Sequence, residues 1–341
     1  MRTKYFMPVL AAVAFLSAGI NQARAQVSIA LVDIGNAGNA PDKPAWGAYG
    51  AVSYDYSIGK YDVTVGQYTA FLNVVAASDP YGLYKESMGT DEKVTGITRT
   101  GTSGSYVYAA RGDANTPITY VTWFDAARFS NWLANGQGNS TTENGAYTLN
   151  GATSGTNCTK NAVNPNTEQA PTFWIPSINE WYKAAYYDPK KDGPELPGYW
   201  LYPTMSEAPP GNIWDNRTLP GQANYNSATG TQPYLTPVGT YIESASAYGT
   251  YDQGGNVWQW TDQVIDSNRV LRGGAWNSPA SALASDYSYG SLPPSDFAIG
   301  FRVAGIPEPL EWQMLLVAGA VLLGWRYLLP FVKAKRNGRS G

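Results

Sequence analysis

Two arginines and one tyrosine-rich stretch are the residues whose chemistry stands out. Arg272 lies in Arg269-Val-Leu-Arg-Gly-Gly-Ala-Trp276 and Arg302 in Ile299-Gly-Phe-Arg-Val303. A planar guanidinium in such a glycine-rich setting can hold backbone carbonyls or a carboxylate in fixed geometry, so structural clamping is the favoured reading and contact with a ligand the second. Between them runs Asn277-Ser-Pro-Ala-Ser-Ala-Leu-Ala-Ser-Asp-Tyr-Ser-Tyr-Gly-Ser291. Tyr, Ser, Gly and Asn are favoured in binding loops, because tyrosine offers a large amphipathic face at small entropic cost. Arg272, Trp276, Asn277, Ser278, Asp286, Tyr287, Tyr289 and Arg302 are therefore the candidate ligand-binding residues, for a glycan or a peptide. A bland exposed loop is the competing reading.

Other chemistries are excluded by composition. The 341 residues contain no histidine and one cysteine, Cys158. Serine-histidine catalysis, histidine metal triads and an intrachain disulfide are thereby ruled out. Cys158 sits in a polar stretch and reads as an incidental thiol. Residues 26–310 carry 15 basic and 25 acidic side chains, a net charge near −10, with no basic stripe for nucleic acid.

Both ends carry addresses. Arg2 and Lys4 precede the apolar run 6–20, and Ala23-Arg-Ala25 has the small-x-small form of a cleavage site, so residues 1–25 are expected to be a signal peptide of the Sec type. Residues 312–332 form an apolar stretch, interrupted at Arg326, that as a helix would rise about 31 Å and span a bilayer. Lys333, Lys335, Arg336 and Arg339 follow, which places that end in the cytoplasm and the large domain outside. Pro307-Glu308-Pro309, the apolar helix and the basic tail together resemble the PEP-CTERM sorting signal of Gram-negative bacteria. That resemblance implies an exosortase-type processing enzyme as partner, a transient stay in the inner membrane, and a final place at the cell surface or in the extracellular matrix.

Three helices can be read from capping boxes, in which a Ser or Thr and an acid or amide three residues on satisfy each other's backbone. They open at Thr64-Val-Gly-Gln67, Thr122-Trp-Phe-Asp125 and Ser177-Ile-Asn-Glu180. Ala126, Phe129 and Leu133 form the inward stripe of the second. Residues 138–172 and 190–226 read as surface insertions or long ordered loops. Seven tryptophans, at 123, 132, 174, 181, 258, 260 and 276, are expected in the core, with their indole N–H groups satisfied.

Six blocks, in order, resemble the formylglycine-generating enzyme or sulfatase-modifying factor domain: residues 61–72, 117–127, 174–184, 249–262, 269–276 and 299–303. The resemblance implies an α+β fold related to the C-type lectin fold, loop-rich, with short antiparallel strands and three main helices. It divides the chain into a lead-in at 26–51, the domain at 52–304 and the sorting region at 305–341. In the family a copper-binding cysteine pair and a serine serve catalysis. Here those positions are Ser278 and Leu283, and Ala275. The scaffold thus implies a binding or structural module with no copper, and its rival, a formylglycine-generating oxidase, lacks its thiolates. The family also implies a calcium site at Asp252, Gly255, Val257 and Gln259, in which an amide replaces a carboxylate and weakens the ligand set.

Overall fold

The computed structural model describes residues 26–44, 47–287, 289–291 and 296–307. The leader at 1–25, Glu308, Pro309 and the 312–332 stretch lie outside the described residues, and Pro307 is the last residue before them. Among the described residues no helix is long and apolar enough to cross a membrane.

The chain runs β1 (Leu31–Ile34), β2 (Tyr56–Gly59), α1 (Val65–Val75), α2 (Glu86–Thr90), β3 (Gly96–Thr100), β4 (Val107–Arg111), α3 (Trp123–Ala134), β5 (Phe173–Trp174) and α4 (Ile178–Tyr186). There follow β6 (Tyr187–Asp188), β7 (Gly198–Tyr199), β8 (Trp258–Ile265), β9 (Asn268–Arg272), β10 (Tyr289–Ser291), β11 (Ile299–Gly300) and β12 (Ala304–Gly305). This is an α+β architecture of short strands and much irregular backbone, as the sequence implies.

All three capping boxes form. Thr64, Thr122 and Ser177 accept from the backbone of Gln67, Asp125 and Glu180, whose side chains accept from the cap backbone in return. Each such cap is worth about 1 kcal/mol, enough to fix where a helix starts. The burial of α3 is wider than its stripe, since all twelve residues are inside. The polar face is covered by the 138–172 segment. Asn131 donates to the carbonyls of Thr142 (2.8 Å) and Tyr147 (3.0 Å) and accepts from the Tyr147 N–H. Arg128 reaches Glu143 at 2.8 Å and the Ala152 carbonyl at 3.0 Å. Residues 142–152 thus partner the polar face of α3 while most of 138–172 stays exposed, as a surface insertion should.

Two four-stranded sheets, ordered β1-β2-β12-β5 and β10-β9-β8-β11, frame the core. The end of the domain closes its beginning, because β12 pairs with Ile58 and Ser57 of β2 on one side and with β5 on the other. The expected lead-in is part of this sheet: β1 pairs antiparallel with β2, so the fold starts well before residue 52. The β8–β9 hairpin turns at Asp266-Ser267, both at positive φ (48° and 63°), the backbone that matches the twist of its strands.

The aromatic core gathers around Phe129, whose ring lies 5.4 Å from Phe301, 5.3 Å from Phe71 and 5.6 Å from Trp132. Six of the seven tryptophans are buried as expected and Trp258 is half-buried. The indole N–H groups of Trp123, Trp132 and Trp276 find no partner among the described residues, which differs from the expectation.

Candidate functional site

The site is built where β9 ends. Past Arg272 the chain turns through Gly273 and Gly274 at φ of 96° and 72°. A Cβ at Gly273 would stand 2.5 Å from the Gln253 carbonyl oxygen, and one at Gly274 would stand 2.8 Å from a Leu283 methyl, so both close approaches require glycine. Ala275 is fully buried, and its N–H donates to the Ser278 hydroxyl at 3.0 Å while the Ser278 N–H donates to the Ala275 carbonyl at 2.9 Å. Ser278 thus closes a buried turn. Leu283 is also fully buried, packed with Tyr202, Ala223, Ala282 and Ala284, and its carbonyl accepts from the Tyr186 hydroxyl at 3.0 Å. A turn hydroxyl and an apolar plug therefore occupy the two positions where the resemblance implies thiolates in an oxidase.

Arg272 organises the next turn of chain. Its buried guanidinium donates to the carbonyls of Ser285, at 2.9 Å, and Tyr287. It lies 5.1 Å from the ring centre of Tyr182, 5.6 Å from Trp181 and 5.8 Å from Tyr186. The backbone of 285–287 is pinned from below. Asp286 and Tyr287 are left on the surface, and the Tyr287 ring rests 6.0 Å from that of half-buried Trp258.

The candidate ligand residues are thereby sorted. Arg272, Arg302, Trp276 and Ser278 are inside, while Asn277, Asp286 and Tyr287 are exposed. Trp276 stacks on Tyr234 at 4.4 Å and meets Phe297 at 5.7 Å. The backbone of Tyr289 pairs opposite Leu271 in β10.

A second constellation surrounds Gln259. Its Oε1 accepts from the Trp181 indole at 2.6 Å and from the Arg302 Nε at 2.7 Å, and its Nε2 donates to the Asp252 carbonyl at 2.6 Å. Arg302 also donates to the carbonyls of Gly59 and Tyr251, both at 2.8 Å, and to Asp62 at 3.2 Å. Burial pushes the Asp62 carboxyl well above the usual carboxylate range against the pull of Arg302. Burial likewise raises Asp252 to about 6, opposed by the Gly239 N–H, which donates to its carboxylate at 2.6 Å, and by Arg302. This geometry does not fit a calcium site at Asp252, Gly255, Val257 and Gln259. The one side-chain oxygen of Gln259 is turned to two donors, and an N–H group faces Asp252, where a cation needs an acceptor. Among the described residues no three His, Cys, Asp or Glu side chains gather to hold a metal.

Sequence reasoning missed two members of this cluster. Asp62 lies inside the 61–72 block and Trp181 inside the 174–184 block, but neither motif announces a partner more than 70 residues away. Cys158 is half-buried, burial raises its thiol, and its carbonyl serves Arg269 at 2.7 Å. That setting makes no nucleophile.

Residues 32–305 match the sulfatase-modifying factor enzyme 1-like domain. No curated protein matches the chain. Treponema denticola variable protein 1 is similar in structure, with 18% identity and a TM-score of 0.50 over 83% of this chain and 97% of that one. CarF has 21% identity and a TM-score of 0.48 over 82% of this chain and 99% of its own, and PvdO from Pseudomonas aeruginosa 18% and 0.43 over 82% and 92%. At such identities the likeness bears on the fold alone. The domain match, which spans well over half of the chain and includes every block quoted above, shows that this chain belongs to the sulfatase-modifying factor enzyme 1-like domain family.

Proposed function

We propose that this chain is an exported, non-catalytic binding module that presents the turn around Tyr287 to a glycan. The observation that carries the reading is the Arg272 clamp, which holds the carbonyls on both sides of Asp286 and leaves Asp286 and Tyr287 facing solvent. Binding is strongest where the contact residues are ordered beforehand, because less freedom is lost on association. An exposed tyrosine ring backed by Trp258 offers a face for a pyranose, and a carboxylate beside it accepts from sugar hydroxyls. Export is supported by the leader at 1–25. The Pro307-Glu308-Pro309 tripeptide and the apolar stretch at 312–332 support retention in the membrane until an exosortase-type enzyme removes the tail.

The test is a glycan and peptide array probed with the purified domain, residues 26–307. Selective binding to a set of glycans is expected, and Tyr287→Ala should weaken it at least about tenfold, equivalent to 1.4 kcal/mol, with an unchanged melting temperature. Selective binding to peptides, or glycan binding indifferent to Tyr287→Ala, would overturn the glycan assignment.

A further inference from the structure

We propose that the Gln259 amide nitrogen takes the place of a bound divalent cation, so that the native fold is independent of metal, and that one carboxylate at this position makes it calcium-dependent. The two ends of the side chain are held by different kinds of partner. Its oxygen is fixed by two donors, the Trp181 indole and the Arg302 Nε, so the amide has one orientation that satisfies its surroundings. The nitrogen then points to the Asp252 carbonyl at 2.6 Å. Asp252 itself is held at φ 56°, a left-handed backbone that aims its carbonyl inward at this cost. The amide therefore joins, inside one side chain, two donors on its oxygen to one carbonyl acceptor on its nitrogen.

Charge points the same way. Arg302 is fully buried, with the buried Asp62 and the carboxylate of Asp252 as the acids near it. A neutral amide adds nothing to that balance. A glutamate at 259 would keep one oxygen on Trp181 and Arg302 and bring its second oxygen to where Nε2 now lies, facing the Asp252 carbonyl acceptor to acceptor. Burial already raises the Asp62 and Asp252 carboxyls, so a third acid beside the one guanidinium would add uncompensated negative charge in a buried place. A divalent cation would offset that added charge, and it prefers hard oxygen ligands such as those of Asp252 and of a glutamate at 259.

Melting curves of the purified chain with chelator and with about 2 mM calcium, the range of weak extracellular sites, test both halves. The unmutated protein is expected to melt at the same temperature in both, and a calcium-dependent rise would overturn the proposal. Gln259→Glu is expected to melt at least about 5 °C lower in chelator and to recover in calcium through binding to the native state alone. Gln259→Ala, which loses the bonds without gaining charge, should be destabilised equally in both buffers. A Gln259→Glu protein that calcium does not rescue, or that takes up no calcium in a calorimetric titration, would overturn the second half. Should that variant fail to fold in chelator, its refolding from urea with and without calcium reads the same difference.

Discussion

Arg302→Ala is expected to lose about 3–5 kcal/mol of stability, a large share of the whole. One guanidinium serves four acceptors: Gln259 at 2.7 Å, the Gly59 and Tyr251 carbonyls at 2.8 Å and Asp62 at 3.2 Å. These groups come from β2, the loop after it, the 251 turn and β8. Removing the arginine strands the Asp62 carboxylate, fully buried and already short of a partner for its second oxygen. Breaking a buried ion pair in this way costs about 3–5 kcal/mol, out of a total stability of about 5–15 kcal/mol. Arg302→Lys keeps the charge but loses the planar fork, so it should fall between the two. Urea denaturation followed by tryptophan fluorescence measures all three proteins. A midpoint for Arg302→Ala within error of the unmutated protein would show that the cluster contributes nothing.

The second large effect is expected at Leu283. Its side chain is fully buried, one methyl packs against Gly274, and Tyr202, Ala223 and Ala282 surround it. Leu283→Ala should cost about 2–5 kcal/mol, the lost transfer energy together with the cavity left behind. The same change will loosen the turn that Arg272 pins, because the Leu283 carbonyl anchors Tyr186, one of the rings facing that guanidinium. Glycan binding should therefore weaken along with the denaturation midpoint. A loss below about 1 kcal/mol, the usual cost of a surface change or less, would mean that the position is free to do something other than fill space.

Local signals were the legible ones. Each capping box lies within four residues, and each of the three helices starts where its box says. The sheets were not legible, since β5, β11 and β12 are two residues long and no alternation can be read in so short a run. For the same reason residues 31–34 passed as a lead-in, although pairing with β2 makes them an edge strand. The polar composition of 138–172 foretold an exposed segment but not which of its groups would meet α3, because sequence shows a residue's polarity and not the partner that satisfies it. Asn131 and Arg128 supply that partner from α3.

At the site, residue types were legible and the contacts they make were not. Ser278 and Leu283 stand where the resemblance implies thiols, and the structure shows a turn hydroxyl and a packed side chain there. Arg272 and Arg302 were expected to clamp, and both hold carbonyls. Gln259 was read as a weakened ligand because type alone says that an amide has an oxygen. Its orientation depends on Trp181 and Arg302, which are 78 and 43 residues away.

Incubating the purified domain with copper, oxygen and a Cys-x-Pro-x-Arg peptide, then weighing the peptide by mass spectrometry, tests the central claim most directly. The claim is that a sulfatase-modifying factor scaffold here works without redox chemistry, because copper(I) needs soft thiolates and a turn hydroxyl with a leucine supplies none. The account predicts a peptide of unchanged mass that still carries its thiol. Loss of the thiol with gain of an aldehyde, dependent on the added protein, would contradict it.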